Sequence, residues 1–169
     1  RVASNCFARI VSQARGAQQR GLLSSALSDL ATVAREQGDL SYARQLSDRA
    51  LIVARDAHDQ SAIAYALACR ASLLSVTRAY AQAASTHLRA AAAFAGIGDV
   101  RAQAAALVNA SEALIERRQF RRAARHLLHS ARLASDCGDL RVLVAVLIAL
   151  GTLARRVRAN AAAFIWLRR

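Results

Sequence analysis

Three kinds of residue return along this chain at a spacing of forty. Ala3, Ala43, Ala83, Ala123 and Ala163 form one column, Leu27, Leu67, Leu107 and Leu147 a second, and Asp59, Asp99 and Asp139 a third. A fixed period of this length marks a stacked repeat, in which each unit buries its apolar face only against its neighbours. Between the columns, apolar residues come back every three or four positions, which is the period of a helix face. Pro is absent and Gly numbers seven in 169 residues, so strong helix formers run almost without interruption. The fold class expected is all-α, built from antiparallel helix pairs.

The turns fit the same frame. EQGDLSYARQ, Glu36 to Gln45, separates two helical stretches, and its counterparts at the forty-residue spacing are VTRAYAQAAS, ERRQFRRAAR and RVRANAAAFI. Leu40, Tyr80 and Phe120 share one place in these segments as a large residue that plugs the turn, and Asn160 departs from it. Ala three positions later lets two helix backbones approach. Gly98 and Gly138 suit the left-handed conformation that ends a helix, and Asp99 and Asp139 suit the cap that starts the next.

This register divides the chain into a half repeat over 1–20, full repeats over 21–60, 61–100 and 101–140, and a partial repeat over 141–169. The chain has no Met, not even at position 1, and Phe164, Ile165 and Trp166 have no later helix to cover them. Solenoids close with polar capping helices, so a fragment of a longer array is expected.

The segment EQGDLSYARQLSDRAL, Glu36 to Leu51, resembles the turn and second helix of the tetratricopeptide repeat (TPR). Gly38, Asp39 and Leu40 match its turn, and Ala43 and Ala50 its two small residues; Ala90 and Ser130 repeat the latter, and Gly151 stands where that family favours Gly in the first helix. The family's large aromatics are mostly Leu and Ala here, its closing Pro is missing, and its repeat of about thirty-four residues is shorter. Longer helices account for the difference. The resemblance implies a right-handed α-solenoid of TPR-like pairs whose first helices line a concave face. The cadence GDLSYARQLSDRALIVARDAHD also resembles the helical arrays of bacterial LuxR-type regulators and related signal-transduction ATPases. It implies a non-enzymatic protein-interaction or sensing scaffold that serves transcription regulation or signal transduction, with a protein, a peptide or other domains of the same parent chain as partner.

On that register the partner-binding residues expected are Ser25, Ser28, Thr32 and Arg35 in one unit and Tyr65, Ser72 and Ser75 in the next, followed by Glu112 and Ile115, then Thr152 and Arg155. Hydroxyls, a few charges and one ring are suited to contacting both backbone and side chains of a partner.

No catalytic, cofactor-binding or metal-ligating set is expected. The chain has no Lys, hence no phosphate-binding loop of the GxxxxGK type, and the lone GIG at Gly96 to Gly98 precedes no βαβ pattern. Glu112 and Glu116 share a helix face, but Arg117 beside them points to a solvated charge cluster. His126 and His129 lack a nearby carboxylate or Cys to complete a metal site. Cys6, Cys69 and Cys137 are odd in number and scattered, which fits buried thiols in a reducing compartment, so cytoplasmic is the expected location. The longest apolar run, Val142 to Ala154, is too short for the roughly 20 residues of a membrane span.

All 24 basic residues are Arg, and the net charge is +13. The run ERRQFRRAAR concentrates it in a basic patch of Arg117, Arg118, Arg121, Arg122 and Arg125. That patch is the basis of the alternative reading, a basic α-solenoid that binds nucleic acid directly. Against it, Arg9, Arg49, Arg89 and Arg169 recur at the same spacing on second helices, with His129 completing the column, as a solvated stripe would.

Overall fold

The computed structural model describes residues 16–167, without the side chains of Ala17 and of residues 159–167. Among the described residues seven helices follow one another: α1 Ala17–Glu36, α2 Leu40–Asp56, α3 Gln60–Val76, α4 Tyr80–Gly96, α5 Val100–Glu116, α6 Phe120–Asp136 and α7 Leu140–Leu167. No strand occurs among the described residues. Each helix packs against the next, and a link of three residues forces each pair antiparallel. The result is an all-α, solenoid-like repeat array.

The beat beneath the forty-residue repeat is twenty. Helices α2 to α6 are each 17 residues long, and every link repeats one hydrogen-bond pattern. The third residue of the link donates to the carbonyl five positions back: Asp39 to Ala34, Asp59 to Ala54, Ala79 to Leu74, Asp99 to Phe94, Gln119 to Leu114 and Asp139 to Ala134. This is the closure of a helix by a left-handed residue, and the left-handed places are Gly38, His58, Arg78, Gly98, Arg118 and Gly138, with φ between 52° and 84°. Three of these six are not glycine and carry a strain of roughly 1 kcal/mol or more each. Packing on both sides of the link offsets it.

The residue that closes one helix also opens the next. Asp39, Asp59, Asp99 and Asp139 accept from the backbone N–H of Tyr42, Ala62, Ala102 and Val142 at 2.9–3.1 Å. Ala79 and Gln119 make no such cap. In those two turns the following residue is the aromatic Tyr80 or Phe120, each packed against the core, as Leu40 is at its own turn.

Within each unit the two helices cross where both residues are small. Ser24 meets Ala50 and Ala104 meets Ser130, while Ala64 and Ala90 hold the same places in the middle unit; all six are fully buried. The Ser24 hydroxyl donates to the Ala50 carbonyl at 2.9 Å, and the Ser130 hydroxyl donates to the Ala104 carbonyl at 2.8 Å. Donor and acceptor have changed sides across one contact. Repetition of the contact, not of the residue, is what the fold requires.

Ala43, Ala83 and Ala123 are buried in the core, as are Leu27, Leu67 and Leu107. Leu147 is a correction: it is 68% exposed. Its counterpart Leu107 lies on the face of α5 that its unit's second helix adjoins, and among the described residues α7 has no such helix beside it, because residues 156–160 are part of one 28-residue helix and form no turn. RVRANAAAFI is therefore not a counterpart of EQGDLSYARQ. Arg78–Ala79 and Arg118–Gln119 turn without an Asp cap because Tyr80 and Phe120 pack behind them, whereas residue 160 is Asn, and Ala159, Ala161, Ala162 and Ala163 continue a helix at little cost. Phe164, Ile165 and Trp166 lie where side chains are not described, and the half repeat over 1–20 lies almost wholly outside the described residues. Gly151 is exposed, and a Cβ there would touch nothing within 4 Å, so no close approach requires a glycine at this place.

Candidate binding face

Alternate helices α1, α3, α5 and α7 also touch one another, α1 with α3 and α5 with α7 most extensively. Shorter spacing along one side is what curvature produces, so these four lie on the inner side of the bend. Two of the recesses that open between them hold residues of the expected set.

The first, of about 460 Å³, lies between α1 and α3 and gathers Ser25, Ser28, Thr32, Arg35, Tyr65 and Ser72 from the expected set. The second, of about 300 Å³, lies between the end of α3, the start of α4, α5 and α7, and gathers Ser75, Glu112, Ile115 and Thr152. Arg155 stands next to it, exposed, with its guanidinium 3.4 Å from the Thr152 hydroxyl. Helical spacing had placed these residues on one face; inter-helix packing divides them into two groups. Ser28 and Ile115 are buried and form the floors of the two recesses.

Most of the hydroxyls already spend their proton on their own helix. Ser25 donates to Gly21, Ser28 to Ser24, Thr32 to Ser28, Ser72 to Ala68 and Ser75 to Ala71, each four residues back at 3.0–3.3 Å. What such an oxygen still offers is lone pairs. The face is thus richer in acceptors than in donors.

Tyr65 is held in place by two contacts. Its hydroxyl donates to Asp99 at 2.9 Å, and its ring stands edge-on to Phe94 with centroids 4.9 Å apart. The same Asp99 caps α5 through its other oxygen, so the ring is tied to the start of that helix. The bond to an ionised acid holds the phenol above its ordinary pKa, with desolvation adding to it.

The expectation missed seven lining residues, of which Ala68, Ala113 and Ala149 supply apolar wall. Cys69 lies at the first recess, where its thiol donates to the Ser28 carbonyl at 3.4 Å; burial raises its pKa, which keeps it a poor nucleophile. Asp29 lines the same recess, and Tyr80 and Glu116 line the second. Tyr80 had a signal, its place as a turn plug, which gave no hint that its other side faces a recess. Glu116 corrects the idea of a cluster with Arg117: its carboxylate accepts from Arg156, forty residues away on α7, at 2.8 Å. Cys137 is a further correction, being exposed, and Cys6 lies outside the described residues.

The basic patch stands elsewhere. Arg117, Arg118, Arg121, Arg122 and Arg125 are all exposed at the α5–α6 turn and along α6, with Arg122 donating to Gln119 at 2.8 Å. Arg49, Arg89 and His129 are likewise exposed on second helices, and Arg9 and Arg169 lie outside the described residues. His126 is held below its ordinary pKa by partial burial and by Arg122, Arg125 and His129. Among the described residues no three His, Cys, Asp or Glu side chains stand close enough to hold one metal ion, and no helix is long and apolar enough to cross a membrane. No protein-family model matches the chain, and no curated protein is significantly similar to it.

Proposed function

We propose that this chain is a non-enzymatic protein-interaction and sensing scaffold of the tetratricopeptide type, which holds a protein or peptide partner along the inner side of α1, α3, α5 and α7. One observation carries the reading. The packing that closes the core so tightly at the helix crossings leaves recesses open between the odd helices, and the polar residues spaced along those helices gather in two of them. An extended concave surface is what stacked helix pairs provide for recognition.

The cadence that resembles LuxR-type regulators and signal-transduction ATPases supports reading such a scaffold as part of a bacterial regulator acting in the cytoplasm. Catalytic and DNA-binding parts would then lie in other domains. The exposed Arg117 to Arg125 run supports a second reading, direct nucleic-acid binding, on a surface separate from the recesses. Such binding would weaken steeply with salt.

The experiment is affinity capture with the parent chain and with a Tyr65→Ala, Arg155→Glu double variant, both checked for folding by circular dichroism. Capture of a specific partner by the parent falls at least tenfold in the variant. Undiminished capture by a folded variant removes the inner face from the account.

A further inference from the structure

The second recess has one feature that the interaction reading does not require. In a molecule with 24 Arg and 11 acids, Glu112 has no ion pair and no hydrogen bond among the described residues. Its neighbour Glu116 is already neutralised by Arg156. Beneath Glu112 the recess is apolar: Ala113, Ile115 and Ala149 are buried, and Tyr80 forms a wall. Although Glu112 is exposed at the mouth, the apolar side desolvates its carboxyl enough to raise its pKa. Glu112 is thus an unpaired carboxylate at the edge of an apolar recess.

Size and lining narrow what would pair with it. About 300 Å³ is at the lower end of ligand-sized pockets, too small for a helix or a large cofactor and sufficient for one side chain or a small ion on an alkyl stem. An alkyl stem would pack on Ile115, Ala149 and the Tyr80 ring, and a cationic head would meet Glu112 at the mouth. Long basic side chains divide their chemistry in this way, and an aromatic wall favours the cation further. Ser75 directs its proton to the Ala71 carbonyl, which leaves its oxygen free to accept from the same head.

We infer that the second recess, at the end of α3, the start of α4, α5 and α7, is a receptor for an Arg or Lys side chain of the partner, with Glu112 pairing the charge and Tyr80, Ile115 and Ala149 packing the stem. This deepens the reading of the inner face and rests on it for the identity of the occupant as a partner segment.

Calorimetric titration of the whole chain tests it, using the tripeptide acetyl-Ala-Arg-Ala-amide and its neutral counterpart with citrulline in place of Arg. The arginine peptide binds saturably and at least tenfold more tightly than the citrulline peptide. Glu112→Gln reduces its affinity at least tenfold, Ala149→Leu does the same by filling the recess, and Asp136→Asn, on the far side, leaves it unchanged. Equal affinity for the two peptides, undiminished binding by the Glu112 variant, or no saturable binding overturns the inference. So does agmatine binding tenfold more tightly than the arginine peptide, which would make the recess a small-cation site. Loss of charge selectivity with partner capture intact overturns this recess alone; partner capture insensitive to Tyr65 and Arg155 overturns the broader reading.

Discussion

Replacing Ala83 with Trp lowers the stability of the array by about 1–3 kcal/mol or more. Ala83 is wholly buried in the core shared by α4, α5, α6 and α7, with Ala84, Ala104 and Val108 in the same cluster. An indole introduced there has no void to enter, so the helices must separate. Because each unit is supported only by its neighbours, the loss spreads along the array. Urea denaturation followed by circular dichroism measures it, with Ala81→Trp, on the exposed side of the same helix, as the companion that stays near the parent value. An Ala83→Trp protein as stable as the parent would show that the forty-residue register is misassigned.

Acid weakens the array through His87. This side chain is 1% exposed, its Nδ1 has no hydrogen-bond partner, and desolvation holds its pKa at about 4 in place of the usual 6.5. A base whose folded pKa is depressed leaves stability intact above the unfolded pKa and removes it as the pH falls. Between pH 6.5 and about 4 the unfolded chain takes up a proton that the folded chain refuses. The loss approaches about 3 kcal/mol at the acid end. In the repeat register Leu127 holds the place of His87, and it too is fully buried. His87→Leu therefore abolishes this part of the pH dependence. Denaturation midpoints at pH 7.5 and 4.5 for parent and variant isolate the effect, since the carboxyl groups titrate in both. Parallel acid sensitivity in the two proteins would assign the loss to other groups.

The spacing of Ala43, Ala83 and Ala123 made the helix pairs legible because close backbone approach tolerates little but small residues there. The twenty-residue beat was harder to read. Of its six left-handed positions only Gly38, Gly98 and Gly138 carry a sequence signal, whereas His58, Arg78 and Arg118 adopt the same conformation under the force of packing. Similarly, Ser24 and Ser130 look unrelated in the sequence, yet their hydroxyls bridge one crossing from opposite sides. Leu147 misled because a column reports what a unit would bury if its second helix were present. The face of the odd helices was legible from helical spacing, while the division into two recesses depends on how helices forty residues apart meet. For the same reason the pairing of Glu116 with Arg156, and the isolation of Glu112 that follows, could not be read from Arg117 next door.

Hydrogen–deuterium exchange of the chain with and without its captured partner, resolved to single helices, tests the central claim most directly. The claim places the partner on the inner side. Binding should then slow exchange in α3 and α5, above all around Tyr65 to Ser75 and Glu112 to Glu116, and leave α6 from Arg121 to Arg132 as it is in the free chain. Protection confined to the Arg117–Arg125 run, with α3 and the Glu112 region unchanged, would contradict the account and move recognition to the basic outer surface.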